Sequence, residues 1–557
     1  MSSSGDAARY PDRPAVSTDG MGGLARSAGV VGGATLASRL LGLLRDVALA
    51  NVFDRRATDA FFIAFTIPNL FRRLVGEGTL TVAFVPIFTG WLQRSQEEAR
   101  RFFNATWTLA ALVGVAVSLL GILFAEPIVR LFAAGFASDP EKFALCVRLL
   151  QICFPYILLI SLVAVAMGAL NSVGHFFAPA IAPVLLNLSI MLACGAVWAG
   201  WVGGEPIVAV AFAVVVGGGL QVLAQLPALR ANGLAPRPVI ALGHPAIRRL
   251  LVVMAPAVLG ASVYQFNLLV VRFLSSFMGD GAVSYLFYAD RLIEFPLGVF
   301  IFAIGTASLP SLSLLVKRGE FEQLRVAFSG TLALAIALAL PSTVGLVVLR
   351  EPLFSALFAW NPVVFGAEAI QGCARALLFY AVGLVPISVS RICVQLCLSH
   401  ENTSTPARAA AVSLVVNAIA ALMLIGPLTE GLAPAWLVAL QRPLALFDLG
   451  YAGLALATSC AAAANALYLC VACRRRYRVF QPRQDFQRWL LIAIATALLG
   501  VAVMFSQTLL PVPATASFES LALLFLHVAI GAGVFAVTLA LLRSPEFPVL
   551  RAVLRLR

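Results

Sequence analysis

Arginines and a carboxylate lie inside an apolar run near the start of the chain, where an ionisable side chain is costly. The run from residue 32 to 53 reads GGATLASRLLGLLRDVALANVF and contains Arg39, Arg45 and Asp46. An arginine at the centre of an isolated membrane helix costs at least about 2.5–3.5 kcal/mol on insertion scales, so such residues face a partner or a water-filled cavity. Arg39 and Asp46 are seven residues apart. They therefore lie on nearly one helical face, where they could partly neutralise one another.

The second apolar run also carries charges. Asp59 lies near one end of it, and the segment PNLFRRLVGEG that follows contains Arg72, Arg73 and Glu77. Arg73 and Glu77 are four residues apart and can pair along a helix, whereas Arg72 has no helical partner at that spacing. The simplest interpretation of Arg73 and Glu77 is a structural salt bridge or an arginine that reaches the lipid head groups.

A third charged segment, YADRLIEFP, lies in a later apolar run. Asp290, Arg291 and Glu294 are close enough in sequence to form a small mixed cluster on one helix. A structural ion pair again explains the presence of Arg291 and Glu294.

The cations of the first two apolar runs nevertheless outnumber their nearest acidic partners. Surplus guanidinium groups attract an anion, and their planar fork matches phosphate oxygens. A cation exporter would instead require an unpaired carboxylate, so the sequence predicts an anionic cargo.

The composition of the chain indicates the class of protein in which these charged residues lie. The 557 residues are 61% apolar and only 12% charged, with a mean hydropathy of +0.95. An ordinary soluble domain has about a quarter charged residues and 45–50% apolar ones. The net charge of +13 comes mainly from arginines in short connections between apolar runs, a distribution typical of membrane orientation and contact with anionic lipids. We therefore predict an all-α polytopic membrane protein and exclude a soluble enzyme and a nucleic-acid-binding module.

A membrane helix needs about 20 mostly apolar residues. By that measure the sequence predicts about fourteen spans, near residues 24–51, 58–91, 103–135, 144–171, 177–200, 206–229, 248–278, 281–315, 323–349, 367–398, 406–426, 450–473, 488–510 and 518–543. Arginine is concentrated in alternate connections, whereas 200–206, 278–282 and 510–518 contain no cation. This asymmetry predicts that both termini face the cytoplasm. Residues 1–22 lack an apolar signal-peptide core and are expected to form a cytoplasmic tail.

The cysteines and histidines predict no cofactor site. Most of the nine cysteines lie in apolar runs and are interpreted as small core residues. Cys470 and Cys473 form a lone CxxC, for which the sequence suggests neither a second cysteine pair nor a nearby histidine. The four histidines are scattered. We therefore expect no metal or redox site, and no resident cofactor.

Four segments carry a family resemblance. They are SRLLGLLRD (38–46), ATDAFFIAFTIPNLFRRLVGEGTLTVAFVPIF (57–88), FPYILLISL (154–162) and YADRLIEFPLGV (288–299). These segments strongly resemble the MurJ/MviN family of lipid II flippases, within the multidrug/oligosaccharidyl-lipid/polysaccharide exporter superfamily. The resemblance covers nearly the whole chain from about residue 24.

The resemblance implies a fold and an activity. The fold would have fourteen transmembrane helices, with two six-helix lobes in a V and two C-terminal helices whose groove holds a lipid tail. The implied divisions are a tail (1–22), an N-lobe (23–230), a C-lobe (231–476) and a C-terminal helix pair with a basic tail (477–557). The implied activity is alternating-access transfer of lipid II, the undecaprenyl-pyrophosphate-linked peptidoglycan precursor, from the inner to the outer leaflet of the bacterial cytoplasmic membrane.

The resemblance also assigns residues. Arg39, Arg45, Arg72 and Arg291 match the cavity arginines of the family and are expected to bind the pyrophosphate. Asp59 matches a functionally important acidic position, and with Asp46 we expect it to hold the arginines when the cavity is empty. The remaining charge partners that keep the family pattern are Arg73, Glu77, Asp290 and Glu294. Thr66 stands where many relatives have a lysine, and no sodium-ligand set is recognisable.

Other functions remain open at this stage. An ion-coupled exporter of the multidrug/toxin class would depend on an intramembrane carboxylate. An intramembrane polyprenyl-phosphate glycosyltransferase would need a catalytic cluster and a sizeable aqueous loop, and the connections here are short. Lipid II and membrane lipids are the expected partners, with the peptidoglycan-synthesis machinery as a further candidate, and we expect a functional monomer. The sequence leaves membrane potential, a gradient of a monovalent cation and downstream consumption of the product as candidate energy sources.

Overall fold

The computed structural model describes residues 18–72, 79–241, 243–548 and 551, and these residues are helical almost throughout. The helices described in the first part of the chain are α1 (Thr18–Val52), α2 (Arg55–Phe71), α3 (Thr79–Arg94), α4 (Gln96–Leu123), α5 (Ala125–Phe132), α6 (Pro140–Cys153), α7 (Tyr156–Ser172), α8 (Phe177–Trp198) and α9 (Ile207–Ala231). Those in the second part are α10 (Pro245–Ser275), α11 (Ala282–Pro296), α12 (Phe302–Arg318), α13 (Phe321–Val348), α14 (Arg350–Phe358), α15 (Ala367–Val382), α16 (Leu384–Ser399), α17 (Ser404–Leu424), α18 (Ala435–Gln441), α19 (Tyr451–Tyr477), α20 (Pro482–Leu509) and α21 (Phe518–Leu541).

Within these described ranges, eleven helical runs are long and apolar enough to cross a membrane. They are α4, α6 with α7, α8, α9, α11 with α12, α13, α15 with α16, α17, α19, α20 and α21. The predicted all-α polytopic membrane class is therefore confirmed. The predicted total of fourteen spans stays a prediction, because α1, α10 and the shorter helices α2 and α3 do not meet this criterion.

Polar side chains at the helix starts help to fix where these helices begin. The side chains of Asp54, Ser95 and Asp139 accept hydrogen bonds from backbone N–H groups in the first turns of α2, α4 and α6. Ser517 and Ser520 form a reciprocal capping box at the start of α21. Such caps satisfy N–H groups that have no partner inside the helix.

One long helical run is interrupted near the charged segment that contains Arg291. α11 ends at Pro296 and continues into α12 through a π-helical segment, Leu297–Ile301. Proline removes a backbone donor from the ladder, and π-helical turns are frequent at functional sites. This irregular segment places Gly298 opposite α1 across the interior of the molecule.

The helices pack in two groups, and α10 touches both of them. In the first group, α1 packs on α8, α8 on α9, and α4 on α7. In the second group, α17 and α16 both pack on α19, and α11 packs on α15. α10 contacts α3 as well as α17, while α20 and α21 pair with each other and α20 rests on α13. The lobe boundaries predicted from the sequence, 23–230 and 231–476, stay a prediction.

Candidate functional site

A chamber of about 2060 Å³ lies between the two groups of helices. The four arginines singled out by the sequence, Arg39, Arg45, Arg72 and Arg291, all line it. They come from α1, from the end of α2 and from α11, so residues more than 200 positions apart in the chain meet in one space. Their role in binding stays a prediction, but the structure brings all four to the same chamber.

Asp46 lies between two of these cations. Its Oδ1 accepts hydrogen bonds from Arg45 Nε and Nη2 at 2.9 and 2.6 Å, and its Oδ2 accepts one from Arg291 Nε at 2.7 Å. The Asp46 side chain is fully buried. A single carboxylate thus holds two guanidinium groups, and its bond to Arg291 joins α1 to α11. Arg291 also donates from Nη1 to Glu294 Oε2 at 2.7 Å, as its position in the sequence suggested.

The expected pairing of Asp46 with Arg39 is wrong. Seven residues along a helix correspond to about 10 Å of axial rise, which is too far for an ion pair when Asp46 has nearer partners. Arg39 instead extends to the π-helical segment, where a methyl group added to Gly298 would lie 1.4 Å from its Nη1 atom. Among the described side chains, Arg39 has no carboxylate partner. Its charge is therefore available to an anion in the chamber.

Arg45 and Arg72 are held by neutral amides as well. Arg45 Nη1 donates to Asn187 Oδ1 at 3.1 Å, and Asn187 Nδ2 donates to the Ser38 carbonyl at 3.1 Å. Arg72 Nε donates to Asn69 Oδ1 at 2.7 Å. These amides orient the guanidinium groups without neutralising them. The other predicted pair near Arg72, Arg73 with Glu77, lies outside the described residues.

The chamber contains cations that the sequence analysis did not single out. Arg391 on α16 and Arg272 on α10 line it, and so does Arg551. The Arg391 guanidinium lies 4.6 Å from the centre of the Phe302 ring and has no carboxylate partner in the part of the chain that is described. Arg272 is 5% exposed and donates to the Val283 carbonyl at 3.1 Å. Both residues interrupt apolar runs, which is the signal that could have identified them.

The chamber lining is therefore strongly cationic. Seven arginines line its described part: Arg39, Arg45, Arg72, Arg272, Arg291, Arg391 and Arg551. The carboxylates that line it are the predicted charge partners Asp290 and Glu294. Even when the buried Asp46 is added, cations exceed anions. Because guanidinium groups bind phosphate oxygens in a bidentate manner, the lining suits a phosphate-containing anion.

Asp59 does not hold an arginine, and this expectation is wrong. Its fully buried carboxylate binds Lys142 Nζ at 3.0 Å. It also accepts hydrogen bonds from the backbone N–H groups of Gly281 and Ser284, both at 2.8 Å. Lys142 contacts Asp280 at 2.7 Å as well. Asp59 binds these groups because it lies near the start of α2, next to α6 and the first turn of α11. We call the five residues Asp59, Lys142, Asp280, Gly281 and Ser284 the Asp59 latch.

Aromatic rings and polar contacts close the same end of the chamber as the latch. The rings of Phe62 on α2 and Phe287 on α11 stack at 3.8 Å, and Tyr288 meets Phe62 edge-on at 5.4 Å. Arg56 forms an ion pair with Asp139 nearby. The Lys142 backbone N–H and the Arg56 guanidinium hold the pKa of Asp139 below its ordinary value of 3.8. The rings of Phe62 and Tyr288 at this end are buried and tightly packed.

The chamber extends to the C-terminal helix pair. Leu499 and Val503 on α20 and Leu524 and Phe535 on α21 belong to the same lining as the arginines. Between the two helices, buried His527 lies 2.8 Å from Ser506 Oγ and 3.0 Å from the Leu510 carbonyl. These bonds fix the pair, and the apolar groove along it opens into the cationic space.

The sequence and the fold both match known proteins. The family described as lipid II flippase MurJ matches residues 49–523. The probable lipid II flippase MurJ of Bdellovibrio bacteriovorus is 38% identical over 400 residues, which cover 70% of this chain and 75% of that protein. The lipid II flippase MurJ of Burkholderia cenocepacia is 35% identical over 480 residues, covering 85% and 88%.

Solved structures agree at the level of the fold. A structure of lipid II flippase MurJ in an inward closed conformation superposes with a TM-score of 0.72 at 24% identity, covering 92% of this chain and 98% of that one. An inward-facing multidrug resistance transporter of the MATE family superposes with a TM-score of 0.63 at 14% identity, covering 79% and 94%. Because the family match spans most of the sequence, this chain belongs to the MurJ family of lipid II flippases.

Proposed function

We propose that this protein moves lipid II, the undecaprenyl-pyrophosphate-linked peptidoglycan precursor, from the inner to the outer leaflet of the bacterial cytoplasmic membrane. The observation that carries the proposal is the chamber with seven arginines, into which the groove of α20 and α21 opens. A pyrophosphate joined to a long polyprenyl chain has both of the chemical features that this space accommodates. Family membership supports the same conclusion.

The pyrophosphate would bind by competing for guanidinium groups that are already oriented. Arg39 has no carboxylate partner among the described residues, while Arg45 and Arg291 share Asp46. A pyrophosphate that approaches Arg39 and Arg291 gains charge-assisted hydrogen bonds and weakens the hold of Asp46 on Arg291. Because this contact joins α1 to α11, binding changes the free energy of the link between the two groups of helices.

The polyprenyl tail would stay in the apolar groove or in the bilayer. Moving it into a hydrated chamber would cost about 0.8 kcal/mol for each methylene. The groove lined by Leu499, Val503, Leu524 and Phe535 lets the tail remain in an apolar environment while the head group occupies the cationic space.

The Asp59 latch and the aromatic rings would form the gate toward the outside. We place both termini in the cytoplasm, because arginine is concentrated in the connections on the side of the N-terminus. The end where α2 and α11 begin then faces outward. Release of the head group would require Asp59 and Phe62 on α2 to separate from Ser284 and Phe287 on α11. We propose that a monomer does this without a resident cofactor, driven by membrane potential or a monovalent cation.

The ion-coupled exporter and the glycosyltransferase are less well supported. A MATE-type exporter shares the fold, but the lining here favours an anion over a cationic drug. The chain belongs to a transporter family, not to a known catalytic one.

Growth rescue tests the proposal. In a strain depleted of its own flippase, the wild-type chain should restore growth, while Arg39→Ala, Arg45→Ala and Arg291→Ala should not. Lysine variants keep the charge but lose the fork, so we expect partial rescue from them. Glu126→Ala removes an exposed surface ion pair with Arg130 and serves as the control. Full rescue by well-expressed alanine variants would refute the anion site.

A further inference from the structure

Two helices of the second group place four cysteines opposite one another. Cys393 and Cys397 lie one turn apart on α16, and Cys470 and Cys473 lie one turn apart on α19. The Sγ atoms of Cys393 and Cys470 are 3.9 Å apart, and so are those of Cys397 and Cys473. The expectation that the CxxC has no second pair near it is therefore wrong, because the partners come from a helix about 76 residues earlier in the chain.

A histidine also approaches this thiol cluster, contrary to the sequence-based expectation. The ring of His400, which follows α16, lies 4.0 Å from the ring of Tyr477 at the end of α19. It adds a second link between the two helices beside the cysteines.

We propose that this thiol cluster is a site of oxidative modification, at which an oxidant joins α16 to α19 through a disulfide. Cys393, Cys397 and Cys473 are fully buried, whereas Cys470 is partly exposed. Cys470 also lies one turn before the basic end of α19, Arg474–Arg476, which the proposed orientation places on the cytoplasmic side. An oxidant that enters from that side therefore reaches Cys470 before the three buried thiols. Cys393 is then the resolving thiol, because it is already in contact with Cys470.

The chemistry balances with a low-molecular-weight disulfide as oxidant. The Cys470 thiolate attacks one sulfur of the oxidant, forms a mixed disulfide and releases one thiol. The Cys393 thiolate then attacks the Cys470 sulfur, forms the interhelical disulfide and releases the second thiol. The protein loses two electrons and two protons, and the oxidant gains them. Because a disulfide has an S–S distance of about 2.05 Å, the two sulfurs must approach from 3.9 Å.

The site lies directly behind the wall of the chamber. Arg391 and Val394 on α16 line the chamber, while Cys393 and Cys397 face α19. A bridge from Cys393 would therefore fix the helix that carries Arg391. Cytoplasmic thiols are normally kept reduced, so the bridge would form under oxidative stress. This inference does not depend on the transported substrate.

Thiol mapping of the purified full-length protein tests the inference. The protein is treated with glutathione disulfide or with diamide, the remaining thiols are blocked with N-ethylmaleimide, and the peptides are analysed by mass spectrometry. We expect a Cys393–Cys470 cross-linked peptide whose mass is lower, by two hydrogen atoms, than the sum of the two reduced peptides. Dithiothreitol should cleave this cross-link. Cys470→Ser should abolish it.

Cys460 supplies a matched control. It lies on the same helix, it is also partly exposed, and none of the described sulfur contacts involves it. Cys460→Ser should leave the bridge intact. The inference is overturned if Cys470 is alkylated by N-ethylmaleimide yet never bridges after oxidation. It is equally overturned if Cys470 stays unreactive to both reagents, or if the oxidised thiols map to Cys460. Thermal unfolding of each variant confirms that it is folded.

Discussion

At the scale of the residue, Asp46 is the carboxylate on which the chamber electrostatics depend most directly. It is fully buried between Arg45 and Arg291, so its removal leaves the buried Arg45 and the partly buried Arg291 with less charge compensation. Breaking a buried pair from one side costs about 3–5 kcal/mol. We therefore expect Asp46→Asn to lower the free energy of unfolding by an amount of that order, measured by thermal or denaturant unfolding in detergent.

An exposed pair provides the comparison for Asp46. Glu126 and Arg130 form an ion pair at the surface, and both side chains are more than half exposed. Exposed pairs contribute about 0–1 kcal/mol, so Glu126→Gln should be almost neutral. Equal stability losses in the two variants would contradict the role given to Asp46.

Gly298 provides a test of Arg39 that leaves the arginine in place. A methyl group there would lie 1.4 Å from Arg39 Nη1, so Gly298→Ala must displace the guanidinium. Because that group is the far end of a flexible side chain, the protein should still fold. We expect lipid II binding to weaken by about tenfold, which corresponds to about 1.4 kcal/mol. Gly345→Ala, also on the chamber lining but with nothing within 4 Å, should bind normally. If both variants bind equally well, Arg39 is not a ligand.

At the scale of the element, the Asp59 latch links α2 and α6 to α11. Lys142→Met leaves the carboxylate of Asp59 buried without its cation, so we expect a loss of about 3–5 kcal/mol in stability. In the double variant Asp59→Asn with Lys142→Met, neither charge remains. Much of the stability should then return, which a double-mutant cycle measures as a coupling energy. Additive losses in the double variant would show that the two residues do not act together.

The sequence predicted the helices well because apolar length is a local property. The predicted spans 206–229 and 450–473 correspond to α9 (Ile207–Ala231) and α19 (Tyr451–Tyr477). Pairings across helices were harder to predict. Asp46 binds Arg291, 245 positions away, and the CxxC meets cysteines on α16. The spacing of residues along the sequence does not predict such contacts, because they depend on how the helices pack. Arg391 could have been found, since it interrupts an apolar run in the same way as Arg39.

At the scale of the whole molecule, the cationic chamber and the C-terminal groove form one continuous space. A bulky side chain in the groove should obstruct the tail without altering the arginines. We expect Ala532→Trp, which lies on the chamber lining, to fold normally and to lose growth rescue. Ala529→Trp on the same helix is exposed and lies away from that lining, so it should rescue. Loss of rescue by both variants, or by neither, would contradict a role for the groove.

The most direct test of the whole account is the amount of lipid II exposed on the outer leaflet of cells in which this chain is the only flippase. The wild-type chain should maintain that exposure, and Arg291→Ala, expressed at the same level, should abolish it while lipid II accumulates on the inner leaflet. Equal outer-leaflet exposure with wild type and Arg291→Ala would contradict the claim that a pyrophosphate must bind the chamber arginines to cross.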